Sequence, residues 1–278
     1  MSNAKIASPL FILREICAQD LMGALEKLAG FGFDGVEFIG FFGHEPKSIR
    51  EKLDSVGLRA MGNHFSFNEF CTNTEKTIED HSILGCSYIT ISAPEPKGMP
   101  DGEEYAKTIQ EMERIGAMMR SAGMKLLYHN HASEAKNASN GKPILENIMD
   151  DISPDALYLE PDLGWIKIGG GNPAHYLKKY TTRCPVIHFK DFYSDDIDKT
   201  ATFGKYDVAH GNADSGNFEF RPTGYGIMNN AELYRLSFSC NPEWYVLDHD
   251  AAYERDPFAD LKISLDYFKN LMKISEVI

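Results

Sequence analysis

Short apolar, strand-type runs alternate with amphipathic helical stretches eight times along the 278 residues, and this rhythm constrains the fold most. The spacing predicts strands over 6–13, 35–39, 58–63, 88–91, 125–129, 157–160, 186–189 and 244–247. It predicts helices over 21–31, 46–56, 72–84, 103–122, 143–149, 173–180, 231–238 and 257–273. Leu21, Leu25 and Leu28 show the helical period, and Tyr88-Ile89-Thr90-Ile91 the β-branched and aromatic bias of a strand. Strand–helix alternation implies a parallel sheet with helices outside. Eight such units in this length fit a closed (β/α)8 barrel, an α/β fold, as one domain over 1–278. An open doubly wound sheet would begin with a glycine-rich phosphate loop after strand one, but Leu13-Arg14-Glu15-Ile16 stands there. The rhythm breaks over 191–227, a polar stretch read as a long loop.

Composition narrows the partners. Asp and Glu number 41 against 28 Lys and Arg, a net charge of −13. That surface repels phosphate backbones, so nucleic acid is not an expected partner. The five cysteines form no CxxC pair, as expected of free thiols in a reducing cytoplasm. No secretion signal or membrane-length apolar run is read, so a cytoplasmic protein is expected.

In such a barrel the site lies at the C-terminal ends of the strands. Those ends carry Glu37; Asn63 and His64; His129-Asn130-His131, with Glu134 beyond; Glu160, Asp162 and Trp165; His188 with Lys190 and Asp191; and Asp248-His249-Asp250. Each alone reads as an ordinary polar residue at a strand end. Asp195, Asp196 and Asp198 read as a solvated face, Trp244 as core or interface, and His44, His81, His175 and His210 carry no assigned role. Four neighbouring strands ending in ligand-type groups are a different matter. Converging carboxylates repel one another, and a divalent cation resolves the conflict. Carboxylate and imidazole donors without thiolate suit Mn²⁺, Mg²⁺, Co²⁺ or Zn²⁺.

The segments Gly32-Phe33-Asp34-Gly35-Val36-Glu37, Tyr128-His129-Asn130-His131-Ala132-Ser133-Glu134, Asp162-Leu163-Gly164-Trp165, Arg183 with His188-Phe189-Lys190-Asp191, and Tyr245-Val246-Leu247-Asp248-His249-Asp250 resemble the sugar phosphate isomerase/epimerase family of xylose isomerase-like TIM barrels. The resemblance implies one divalent metal held by Glu134, Asp162, His188 and Asp248. It also implies a pocket lined by His64, Asn130, His131, Trp165, Arg183 and Lys190, and it allows a homo-oligomer. Position 248 departs from the family, which usually has Glu there.

The implied chemistry is proton abstraction next to the carbonyl of a small sugar, ketose or polyol, with Glu134 and Asp248 as paired bases: an isomerase or epimerase. Asp248 is one methylene shorter than Glu. That draws its carboxylate back by on the order of 1 Å, worth about 10²-fold in rate without compensation. The alternative is a one-base elimination by a dehydratase or lyase on a keto-sugar or keto-inositol, with His131 as the acid.

Overall fold

In a computed structural model describing residues 4–200 and 217–275, eight parallel strands form the sheet: β1 Lys5–Pro9, β2 Gly35–Phe38, β3 Arg59–Ser66, β4 Tyr88–Ser92, β5 Lys125–His129, β6 Tyr158–Glu160, β7 Val186–His188 and β10 Trp244–Val246. Their spatial order is β6-β5-β4-β3-β2-β1-β10-β7. The two ends of this order meet through a single parallel bridge, Asp162 to His188, with His188 N donating to Pro161 O at 3.0 Å. The sheet is thus a nearly closed barrel, the expected (β/α)8 architecture.

Helices α1 Arg14–Phe31, α2 Pro46–Val56, α4 Thr74–Leu84, α5 Tyr105–Ser121, α6 Ile144–Asp151, α8 Pro173–Lys179, α10 Asn230–Ser237 and α11 Pro257–Ser275 each follow a barrel strand. Their apolar faces and the outward strand residues form the main core, including Leu25, Ile49, Met112, Leu159 and Phe268. Helix α1 breaks at Asp20, whose side chain accepts from Gly23 N at 2.8 Å and caps the segment predicted over 21–31. Short helices α3 Phe67–Thr72 and α7 Leu163–Ile168 were not anticipated. All five cysteines are free, and among the described residues no helix is long and apolar enough to cross a membrane.

Inward residues of alternate parity plug the barrel: Ala7, Met61, Tyr88, Leu127, Val186, Trp244 and Val246. Trp244 is therefore core, as expected. It also explains Gly35, where a Cβ would lie 2.8 Å from the indole and 2.7 Å from Arg59 O.

The polar stretch over 191–227 is not a plain loop. Strands β8 Asp191–Ser194 and β9 Phe218–Arg221 pair antiparallel, and α9 Ile197–Thr200 follows β8. Residues 201–216, His210 among them, lie outside the described part. The pair buries Phe192, Phe218 and Phe220 against Ala132, Trp165 and Ile168, beside the barrel mouth. Arg255 ties it to the barrel through Glu219 and through Asp260 at 2.9 Å.

Candidate functional site

Strand parity builds the site. Two residues above an inward residue, the next inward position is Glu37 above Gly35, His129 above Leu127, Glu160 above Tyr158, His188 above Val186 and Asp248 above Val246. Strand β3 reaches the same rim through an irregularity. Its register with β2 slips from Val36–Ala60 to Glu37–Gly62, leaving Met61 as an extra residue. The slip switches parity, so His64 faces the barrel. Asn63 instead turns outward, with its Nδ2 2.9 Å from His81 Nε2 and its Oδ1 accepting from Gly40 N.

These side chains meet at one point. His64 Nε2 lies 2.9 Å from Glu37 Oε1 and 3.1 Å from Glu160 Oε2. His188 Nε2 lies 3.2 Å from Glu37 Oε2 and 3.3 Å from Glu160 Oε1. His129 Nδ1 lies 3.5 Å from Glu160 Oε2. His64, His129, Glu160 and His188 each offer one ligand atom within 4.8 Å of the others. Glu160 is fully buried and His188 nearly so, at 0% and 1% exposure.

The electrostatics are those of a site that wants a cation. Burial works to lower the His64 pKa, but Glu37 and Glu160 outweigh it and hold it at about 10. Burial opposes His188 in the same way, and the same two carboxylates push it well above the usual imidazole range. Burial, with the charges of His188 and His64 beside it, lowers His129 to about 3. Burial alone would raise Glu160, yet the surrounding imidazoles hold it well below the usual carboxylate range.

The fit to a metal rests on orphaned atoms. Glu37 Oε1, His64 Nε2, His129 Nδ1, both Glu160 oxygens and His188 Nε2 are buried without a hydrogen bond of acceptable geometry. Buried polar atoms are normally satisfied, and here they converge. Three imidazoles with two carboxylates suit Zn²⁺, Mn²⁺ or Co²⁺ better than Mg²⁺, which prefers oxygen.

Asp248 stands just outside this set. Its Oδ2 lies 3.1 Å from His188 Nδ1, the arrangement in which a carboxylate fixes the tautomer and frees Nε2 for a metal. That same oxygen lies 2.7 Å from Lys190 Nζ, and Oδ1 accepts from His249 N at 2.7 Å.

Above the cluster opens a cavity of about 540 Å³, lined by Phe11, Arg14, Phe65, His131, Trp165 and Asp250 besides Glu37, His64, His129 and His188.

The model of the xylose isomerase-like TIM barrel family matches residues 25–270. The chain belongs to that family. Among its relatives, the inosose dehydratase of Geobacillus kaustophilus is 24% identical over 196 residues, 63% of this chain and 63% of that protein. The match therefore spans less than two thirds of the relative's length. A sugar phosphate isomerase/epimerase structure from Parabacteroides distasonis has a TM-score of 0.73 at 21% identity, over 96% of this chain and 94% of its own. The IOLI protein with a bound zinc atom has a TM-score of 0.70 at 14% identity, over 96% of this chain and 97% of its own. At these identities the solved neighbours carry the fold alone.

Within this xylose isomerase-like barrel the expected ligands separate. Asp162, His188 and Asp248 do come together, joined by His129, with ligand atoms within 4.8 Å of one another. Glu134 belongs to neither cluster. It sits on the Ala132–Ala135 turn and accepts from Tyr128 OH at 3.3 Å and Ser133 OH at 2.5 Å. Tyr128 points away from the barrel interior into the helix-side core, so Glu134 is drawn to the outer face of β5 while His129 takes the inner one. Burial raises the Glu134 carboxyl, which those hydroxyls partly offset. Glu134→Gln is expected to leave the metal content of the protein unchanged while costing about 1–3 kcal/mol of stability, the range for disturbing a buried hydrogen-bonded group. Elemental analysis beside a denaturant titration checks both halves.

The expected pocket residues also divide. His64, His131 and Trp165 line the cavity. Asn130 braces the floor, accepting from Asp162 N at 3.0 Å and donating to Asp162 O at 3.3 Å. Lys190 is buried among aspartates. Arg183 is a correction to the expected pocket. It precedes β7, at the opposite end of the barrel, and donates to Leu157 O at 2.7 Å and Met149 O at 2.5 Å. Arg183→Met leaves those carbonyls unpaired. It is expected to cost about 2–4 kcal/mol in denaturant midpoint analysis, with turnover per folded molecule retained.

Glu37, His129 and Glu160 were not among the expected site residues. A parity count along β5 and β6 picks out His129 and Glu160 as the inward partners of Leu127 and Tyr158.

Proposed function

We propose that this chain is a divalent-metal-dependent lyase that removes water from a keto-polyol or keto-sugar. The observation that carries it is the convergence of His64, His129, Glu160 and His188, with Glu37 against His64 and His188, below a cavity walled by His131. Those four would hold the ion, with Glu37 beside them. When bound, it supplies Lewis-acid polarisation of the substrate carbonyl and stabilises the negative charge that develops there.

An isomerase or epimerase with two bases needs carboxylates on opposite faces of the substrate. Glu134 lies behind β5, and Asp248 already accepts from His188, Lys190 and His249. Neither is placed as a base, which favours a one-base elimination. His131 is half-buried at the cavity wall, its ring 5.1 Å from His129 and 5.7 Å from Trp165. In this reading its imidazole takes the proton from the carbon next to the carbonyl. The electron pair forms the new C=C bond, the β C–O bond breaks, and His131 returns the proton to the departing hydroxide as water. The names of the sequence relatives, inosose dehydratases, support the same class and point to a keto-inositol as the first substrate to try.

The test is to incubate protein reconstituted with Mn²⁺, Co²⁺ or Zn²⁺ with a keto-inositol and a panel of ketoses in D₂O. Metal-dependent loss of water, read by mass and by ultraviolet absorbance of the unsaturated product, is expected. Deuterium incorporation or epimer formation without dehydration overturns the lyase reading in favour of an isomerase.

A further inference from the structure

Strand β1 ends at Pro9, which pairs with Glu37 of the site. The turn that follows is pinned from beneath. Leu10 and Leu13 are fully buried, and Leu10 N donates to Glu37 O at 2.9 Å. Phe11 and Arg14 are left exposed, and both line the cavity above the metal-ligand set. The set lies at the floor of that cavity, and Arg14 at its rim.

The Arg14 head is fixed by its own turn. The Phe11 carbonyl accepts from Arg14 N at 3.2 Å and again from Arg14 Nη1 at 2.9 Å. The guanidinium carbon lies 4.7 Å from the centre of the Phe11 ring. Five donors are present on such a head, and these contacts use one. Among the described residues no carboxylate pairs with it. Arg50, Arg114, Arg120, Arg221 and Arg255, by contrast, each pair with an acid. The acids that share the cavity are matched elsewhere: Glu37 faces His64 and His188, while Asp248 and Asp250 hold Lys190. Arg14 is also the one lysine or arginine among the described residues that lines this cavity. Between rim and floor stand Ile39, Phe65, Trp165 and Ala251, apolar walls that suit the C–H faces of a polyol.

We propose that Arg14 selects a substrate carrying a carboxylate at the end remote from the reacting carbonyl, a polyhydroxy keto acid in preference to an uncharged keto-polyol. The inference rests on the metal-dependent lyase reading and narrows its substrate class. A planar guanidinium takes both oxygens of a carboxylate through two parallel N–H bonds. One such head, with no lysine beside it on the wall, matches a monoanion better than a phosphate dianion.

Binding tests this without any assay of turnover. The Mn²⁺-loaded chain is titrated calorimetrically with D-fructuronate, D-fructose and D-fructose 6-phosphate, ketoses that differ only at C6. Fructuronate is expected to bind roughly 10- to 100-fold more tightly than fructose, the span of hydrogen bonds to a charged group, with the phosphate between them. Arg14→Gln is expected to bring all three within about threefold of one another. Arg14→Lys, which keeps the charge but loses the fork, is expected to retain part of the preference. Equal binding of fructuronate and fructose by the native chain, a preference that survives Arg14→Gln, or no binding of any of the three overturns the proposal. Tighter binding of the phosphate than of fructuronate overturns the carboxylate assignment. The lyase reading fails separately. An Arg14-dependent preference with no loss of water from any substrate overturns that reading and leaves this assignment, and dehydration of a keto-inositol by a chain without the preference does the reverse.

Discussion

Glu160→Gln is expected to strip the centre of its ion and to lower kcat/KM by roughly 10³-fold. Glu160 is the residue on which the site closes: His64, His129 and His188 all lie within 3.5 Å of its carboxylate. An amide offers one weaker acceptor and no charge. Lewis-acid assistance is worth several kcal/mol, and at 1.36 kcal/mol per decade a loss of about 4 kcal/mol gives that factor. Metal content and steady-state kinetics on the same sample check it. A Glu160→Gln protein holding a full equivalent of metal, with more than a tenth of native kcat/KM, would remove Glu160 from the ligand set.

His131→Asn is expected to leave the ion in place and to lower kcat by 10²- to 10⁴-fold, the usual span for losing a general acid–base group. The His131 ring lies 5.1 Å from that of His129 and 5.7 Å from that of Trp165. The two variants therefore fail differently, one in metal content and the other in turnover of a metal-loaded protein. If His131→Asn turns over at near-native rate, the proton is handled elsewhere in the cavity, and Asp250 on the same wall is the next group to replace.

The barrel was legible because its signal is long-range and redundant. Each strand is a short apolar run, each helix carries a 3.6-residue stripe, and eight repeats leave little choice of architecture. The single slip at Met61 in β3 has no such signature, so nothing in Gly62-Asn63-His64 told which side chain would face the axis. Strands β8 and β9 were hidden for another reason. They are four residues each, lie far apart in sequence, and find their partner only through the aromatic cluster around Phe192 and Phe220.

The site was legible as a place more than as a ligand set. His188 and the carboxylates around it were anticipated at the right rim. Glu134 was assigned by motif, but the Tyr128 hydroxyl holds it on the helix side. His129 and Glu160 are the inward residues that a strict alternation along β5 and β6 selects. Arg183 shows the opposite limit: a charged residue near a site motif in sequence serves backbone carbonyls at the far end of the barrel.

The narrow junction of β6 and β7 falls at the reaction centre. These two strands form one bridge, between Asp162 and His188, with a further backbone bond from Leu159 N to Arg183 O below it, while Glu160 and His188 reach across the same seam to a common point. An ion held there would act as a rivet across the weakest line of the cylinder. Occupancy would then govern mechanical integrity as well as chemistry, with chelation loosening the wall first where it is thinnest and leaving the ladder from β1 to β5 undisturbed.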